Sequence, residues 1–142
     1  MPTFLPAPQR PPSRRPPPVL AALAAAFLLG ACGGDPRTGD ADLQVKWSFE
    51  PSPPRVGTAA VRLEVADVDW TPENGATVVV TGLRDGVELV VDTARGQGAG
   101  LYLSPEFRFE VAGNWVLRAR VETTDRRWME VERPVTVEAG GS

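Results

Sequence analysis

The chain has 142 residues, with 15 basic and 18 acidic side chains, one cysteine, no histidine and a formal net charge of −3. That length suits one domain, and the acidic balance excludes a nucleic-acid surface and a polybasic membrane patch, both of which need positive charge. Without histidine the chain also lacks the usual general base and the commonest metal ligand.

Residues 1–31 read as a three-part targeting leader. Residues 1–18 carry Arg10, Arg14 and Arg15, no acid and many prolines, which makes a positive n-region. Val19 to Leu29 is an unbroken apolar run, short of the roughly 20 residues that span a bilayer as a helix but suited to a signal h-region. The run ends in Leu29-Gly30-Ala31-Cys32, which resembles the bacterial lipobox, whose cysteine is acylated and freed by cleavage just before it. The resemblance implies a helical signal peptide over 1–31, lipidation (palmitate or a similar acyl chain) at Cys32, and a lipidated flexible tether over 32–42. The alternative is an ordinary leader cut elsewhere. One acyl chain holds a protein only marginally and two hold it stably, so a multiply acylated Cys32 would fix the domain to a membrane of the cell envelope, facing the periplasm or the exterior. Acylation also removes the only thiol, so no disulfide can form within the chain and the fold must rest on its apolar interior. Loss of the leader's three arginines leaves 12 basic residues against 18 acidic ones, a net charge of −6.

From Leu43 the pattern has period two. Leu43, Val45, Trp47 and Phe49 alternate with Gln44, Lys46, Ser48 and Glu50, a half-buried strand that Pro51, Pro53 and Pro54 end. A second strand over Ala59–Ala66 turns Val61, Leu63 and Val65 inward. The segment from Asp67 to Gly75 is a connection, and Ala76 to Thr81 is a β-branched strand expected to be buried on both sides. Asp85-Gly86 signals a tight hairpin into a strand over Val87–Asp92. Gly96 to Gly100 reads as a flexible loop, and the next strand should point Phe107, Phe109 and Val111 inward. Gly113-Asn114 turns the chain into Trp115, Leu117, Ala119 and Val121. A last strand over Trp128–Glu138 places Met129, Val131, Val135 and Val137 on one face, with Arg133-Pro134 marking a bulge or an edge. The fold class expected is all-β: a single antiparallel immunoglobulin-like sandwich of about seven strands over residues 43–138, with a disordered tail at 139–142.

Several pieces resemble the YtkA-like and FixH-like family of bacterial envelope proteins. They are Pro53-Pro54-Arg55-Val56-Gly57, Ala76-Thr77-Val78, Gly100-Leu101-Tyr102, and the run Phe109-Glu110-Val111-Ala112-Gly113-Asn114-Trp115-Val116-Leu117. The resemblance implies a membrane-associated sandwich, with metal or copper handling around respiratory oxidase assembly as the associated role. The chain departs from that role, because copper and zinc want histidine, thiolate or clustered methionine. With Cys32 acylated, Met129 is the only soft donor left after the leader. No metal and no other cofactor is therefore expected. The acid pairs Asp40/Asp42 and Asp67/Asp69 read as solvated turns rather than calcium loops.

No catalytic residue is expected either, since Ser48, Ser52, Ser104 and Ser142 have no histidine beside them. Trp47, Trp115 and Gly113 read as structural core. Trp70 and Trp128 are candidate surface anchors, or lids over a small core. Outward charges at Arg62, Glu64, Glu106, Arg108, Glu110, Arg118, Arg120 and Glu122 make either a solvated sheet face or a docking face. The function expected is that of a non-enzymatic, lipid-anchored accessory module with an envelope protein partner, the alternative being a ligand- or metal-handling protein.

Overall fold

Alternating apolar and polar residues form strands along most of the chain from Arg37 onward. The computed structural model describes Arg37 to Gly141, in which eight strands and no helix occur. They are β1 (Arg37–Gly39), β2 (Leu43–Glu50), β3 (Gly57–Asp67), β4 (Thr77–Arg84), β5 (Val87–Gly98), β6 (Leu101–Phe109), β7 (Gly113–Glu122) and β8 (Trp128–Val137). The expected leader over 1–31, the expected lipobox residues Leu29, Gly30 and Ala31, and the expected lipidation site Cys32 lie outside the described residues. Among those described, no helix is long and apolar enough to cross a membrane.

All strand pairings are antiparallel, in the order β1-β8-β7-β4-β5-β6-β3-β2. The sheet curls into a sandwich because β5 changes partners midway. Residues up to Ala94 pair with β4, and from Arg95 onward β5 pairs with β6. One layer is thus β1-β8-β7-β4 with the first half of β5, and the other is the second half of β5 with β6-β3-β2. This is the expected all-β sandwich.

The interior is filled from both layers by Leu43, Val61, Leu63, Val65, Val78, Val80, Phe107, Phe109, Trp115, Leu117, Val121 and Met129, each essentially solvent-free. Three rings form its centre. Phe109 meets Phe107 at 5.2 Å between centroids and Trp115 edge-on at 5.3 Å and 88°, a favoured aromatic geometry. Trp115 Nε1 donates to the Val111 carbonyl at 2.9 Å, so the indole is buried with its polar atom satisfied. Gly82 lies against this cluster, where a Cβ would stand 3.0 Å from Phe107 Cζ and 3.2 Å from Trp115 Cζ3. The glycine lets β4 approach the rings.

Local signals in the sequence translate directly. Asp85 and Gly86 both have positive φ, 51° and 77°, the two-residue turn that matches strand twist. Gly113 opens β7 at φ 122°, a conformation that L side chains rarely adopt.

Four expectations need correction. The tether expected over 32–42 joins the fold from Arg37: β1 pairs with Val131 to Met129 of β8, and Ala41 belongs to the core. Period-two patterning cannot reveal a strand of three polar or small residues held by a neighbour's edge, so the strands number eight rather than seven. Second, β4 is covered on one side only, since Val79 and Thr81 are half-exposed between buried Val78 and Val80. Third, the loop expected at Gly96–Gly100 is strand through Gly98, closed by a turn at Ala99-Gly100. Fourth, Val111 is exposed, because β6 ends at Phe109 and the chain is already turning. At Arg133-Pro134 the edge holds rather than the bulge: β7 and β8 keep one continuous register, and Glu132 to Val137 lie beyond the reach of β1 at the sheet's edge.

Candidate docking edge

The first half of β5 combines two properties found nowhere else among the described strands. From Val87 to Ala94 its backbone pairs with β4 on one side, and no described strand pairs with it on the other. Its alternate residues Val87, Leu89 and Val91 are 59%, 44% and 60% exposed, half of the exposed large apolar side chains among the described residues. Val90, between them, packs against the core. An open edge carrying exposed apolar side chains invites another strand, and soluble proteins usually blunt such edges.

Three features restrict what can pair here. The β4–β5 register shifts between Gly82 and Leu83, leaving Leu89 as an extra residue that bends the edge. Glu88 projects from the outer face and meets Arg118 at 3.5 Å. Asp92 stands opposite buried Val80, so it turns inward, where the hydroxyl of fully buried Ser104 donates to it. Beside this edge the two layers part at Pro105, which lies in a β6 bulge opposite Ala60, and a cleft opens between Val91, Thr93, Arg95, Pro105 and Arg108.

Of the charged residues read as docking candidates, Arg118 and Arg120 are already paired within the sheet. On the outer face of β7 and β8, Arg118 meets Glu132 at 2.9 Å, Glu130 at 3.3 Å and Glu88, while Arg120 meets Glu130 at 3.5 Å. The bond to Glu132 holds the Arg118 guanidinium above its usual pKa, with burial opposing. Charges that neutralise one another leave little for a partner to complement.

The structure separates the sequence-selected tryptophans. Trp115 is central core. Trp47 is a half-buried flank, stacked with Phe49 at 6.5 Å, and its buried Nε1 has no hydrogen-bond partner. Trp128 is half-buried on the outer face under the Arg120 guanidinium, 4.4 Å from the ring centroid. Trp70 is 47% exposed at φ 61°, with Lys46 Nζ 4.4 Å above its ring, so it covers no core. The acid pairs are turn-builders: Asp67 Oδ1 accepts from the amides of Asp69 and Thr71, and Asp40 Oδ1 accepts from Trp128 N. Among the described residues no three of His, Cys, Asp and Glu gather as metal ligands would.

Sequence reading missed the docking edge. Its one signal was apolar residues at 87, 89, 90 and 91, which place hydrophobic groups on both faces of a strand, and only the neighbours decide which face is covered.

No family model matches the chain and no curated protein does, so the YtkA-like and FixH-like resemblance rests on the quoted residues alone. Solved structures similar to it include the following two. CopC from Methylosinus trichosporium OB3b has 17% identity and a TM-score of 0.46, over 70% of this chain and 98% of that one. An engineered protein has 16% identity and a TM-score of 0.46, over 70% of this chain and 20% of that one.

Proposed function

We propose that this chain is a non-enzymatic, lipid-anchored module of the cell envelope that binds a protein partner by adding the partner's strand to the open edge of β5. The observation that carries the reading is the coincidence, on one half-strand, of an unpaired ladder and the exposed apolar side chains of Val87, Leu89 and Val91. Backbone bonds would supply affinity, and alternate side chains would supply selectivity. Glu88 and Asp92 favour a strand with basic or neutral residues opposite them. The lipobox at Leu29 to Cys32 supports anchoring, and the acyl chain would keep the module concentrated at the membrane where such a partner resides. Catalysis finds no support in the serines, since buried Ser104 is committed to Asp92 and the chain has no histidine to activate a hydroxyl.

The test is site-specific photo-cross-linking in cells with benzoylphenylalanine at position 91, or at position 62 on the far sheet. One discrete adduct from 91, absent from 62 and lost when Leu89→Glu is added, supports strand addition. Adducts of equal yield from both positions, or none from 91, refute it. Mass analysis of the purified chain checks the anchor independently: acylated Cys32 at the N-terminus supports it, and a free thiol or a retained leader overturns it.

A further inference from the structure

We propose that the corner of the sandwich carrying Val68 and Trp70 rests on the lipid surface, with Trp70 in the headgroup layer and Lys46 against lipid phosphate. The inference rests on the lipid anchor proposed above and adds an orientation that acylation alone does not set.

Strand geometry selects the corner. Arg37 is opposite Val131, three residues from the start of β8 at Trp128 and six from its end at Val137. At about 3.4 Å per residue, the Trp128 end is about 10 Å from Arg37 and the Val137 end about 20 Å. Five residue steps separate Cys32 from Arg37, a reach of at most about 18 Å. A lipid on Cys32 can therefore bring the Trp128 end flush with the membrane, whereas the opposite end lies at the limit of the tether. The β3–β4 connection lies at that same end, because Asp67 pairs with Leu43 where β2 begins.

The surface presented there fits a lipid interface. Val68 and Trp70 are 54% and 47% exposed, the only large apolar side chains so exposed on that connection. They are held rather than loose. Asp67 Oδ1 takes the amides of Asp69 and Thr71, Gln44 Nε2 donates to the Val68 carbonyl at 3.0 Å, and the Tyr102 hydroxyl donates to the Glu73 carbonyl at 2.7 Å. A tryptophan with an apolar body and a polar edge, paired with a lysine whose ammonium can reach phosphate, is the combination that populates membrane interfaces. Asp69 beside the ring repels anionic headgroups, so the preferred surface is zwitterionic.

The experiment uses the full-length lipoprotein, purified in detergent and reconstituted into phosphatidylcholine vesicles carrying brominated acyl chains. Co-sedimentation reads the anchor, and bromine quenching of tryptophan fluorescence reads the contact. The expected result is partial quenching that Trp70→Phe abolishes and Val68→Asp reduces, with co-sedimentation unchanged in both variants. Phosphatidylglycerol vesicles should give weaker quenching. Vesicle-bound protein without quenching, or quenching that survives Trp70→Phe, overturns the contact while leaving the anchor standing. Protein that remains in the supernatant with an unmodified Cys32 overturns the anchor and the contact together.

Discussion

Strands β7 and β5 have similar local character and opposite fates. Both alternate apolar with polar residues, and both follow a glycine-containing turn. In β7, Trp115, Leu117, Ala119 and Val121 all disappear into the interior, because β4 and β8 flank the strand and the opposite layer lies over it. In β5, Val87, Leu89 and Val91 stay in solvent, because the strand has a neighbour on one side only and then leaves for the other layer at Arg95. Alternation specifies extended backbone and two unlike faces. Whether an apolar residue stabilises the fold or waits for a partner depends on what stands opposite it.

That contrast can be broken most directly at its buried end. Trp115→Ala should destabilise the domain by about 3–5 kcal/mol in urea unfolding, through lost burial and the cavity left beside Phe109. A variant as stable as the parent would show that β7 is not the centre. Gly82→Ala should lower stability by about 1–3 kcal/mol, since the added methyl meets the Phe107 and Trp115 rings at 3.0–3.2 Å. At the exposed end, Val91→Lys should shift stability by no more than about 0.5 kcal/mol while removing the position-91 partner contact. A large loss of stability there would mean that Val91 is covered by the chain's own residues.

Trp47 sharpens the comparison from the margin. Its indole N–H is buried without a partner, so Trp47→Phe should be close to neutral, within about 1 kcal/mol by thermal unfolding. Trp115→Phe, which forfeits a made bond to Val111, should cost more. The smallest effect is a pH dependence in the β7–β8 turn. Hydrogen bonding from Thr123 and then Arg127 holds the Asp125 carboxyl below its usual pKa. A depressed carboxylate pKa means the turn's stabilisation is present above the ordinary Asp range and is lost as pH falls through the lowered value. The protection factor of the Arg127 amide, corrected for intrinsic exchange, should therefore fall under acid, and Asp125→Asn should remove that dependence.

The residues that announce their own structure act locally. Pro51 to Pro54 end β2 for want of amide donors, Asp85-Gly86 turns the chain because two positive φ values are needed in sequence, and Leu43 to Phe49 alternate over one half-buried strand. All of this was legible without coordinates, because the cause lies within a few bonds of the effect. The resemblance of Leu29 to Cys32 to a lipobox is equally local, a spacing of small residues before one thiol.

The tertiary structure decided the rest. The Arg37–Gly39 tripeptide became a strand because β8 offered it an edge. Trp70 stayed outside while Trp115 went inside, although nothing in the indole distinguishes them. The open ladder of β5 exists because the strand changes layers between Ala94 and Arg95. Burial and pairing are shared between residues far apart in the chain, and a one-dimensional pattern carries no account of which neighbours will arrive.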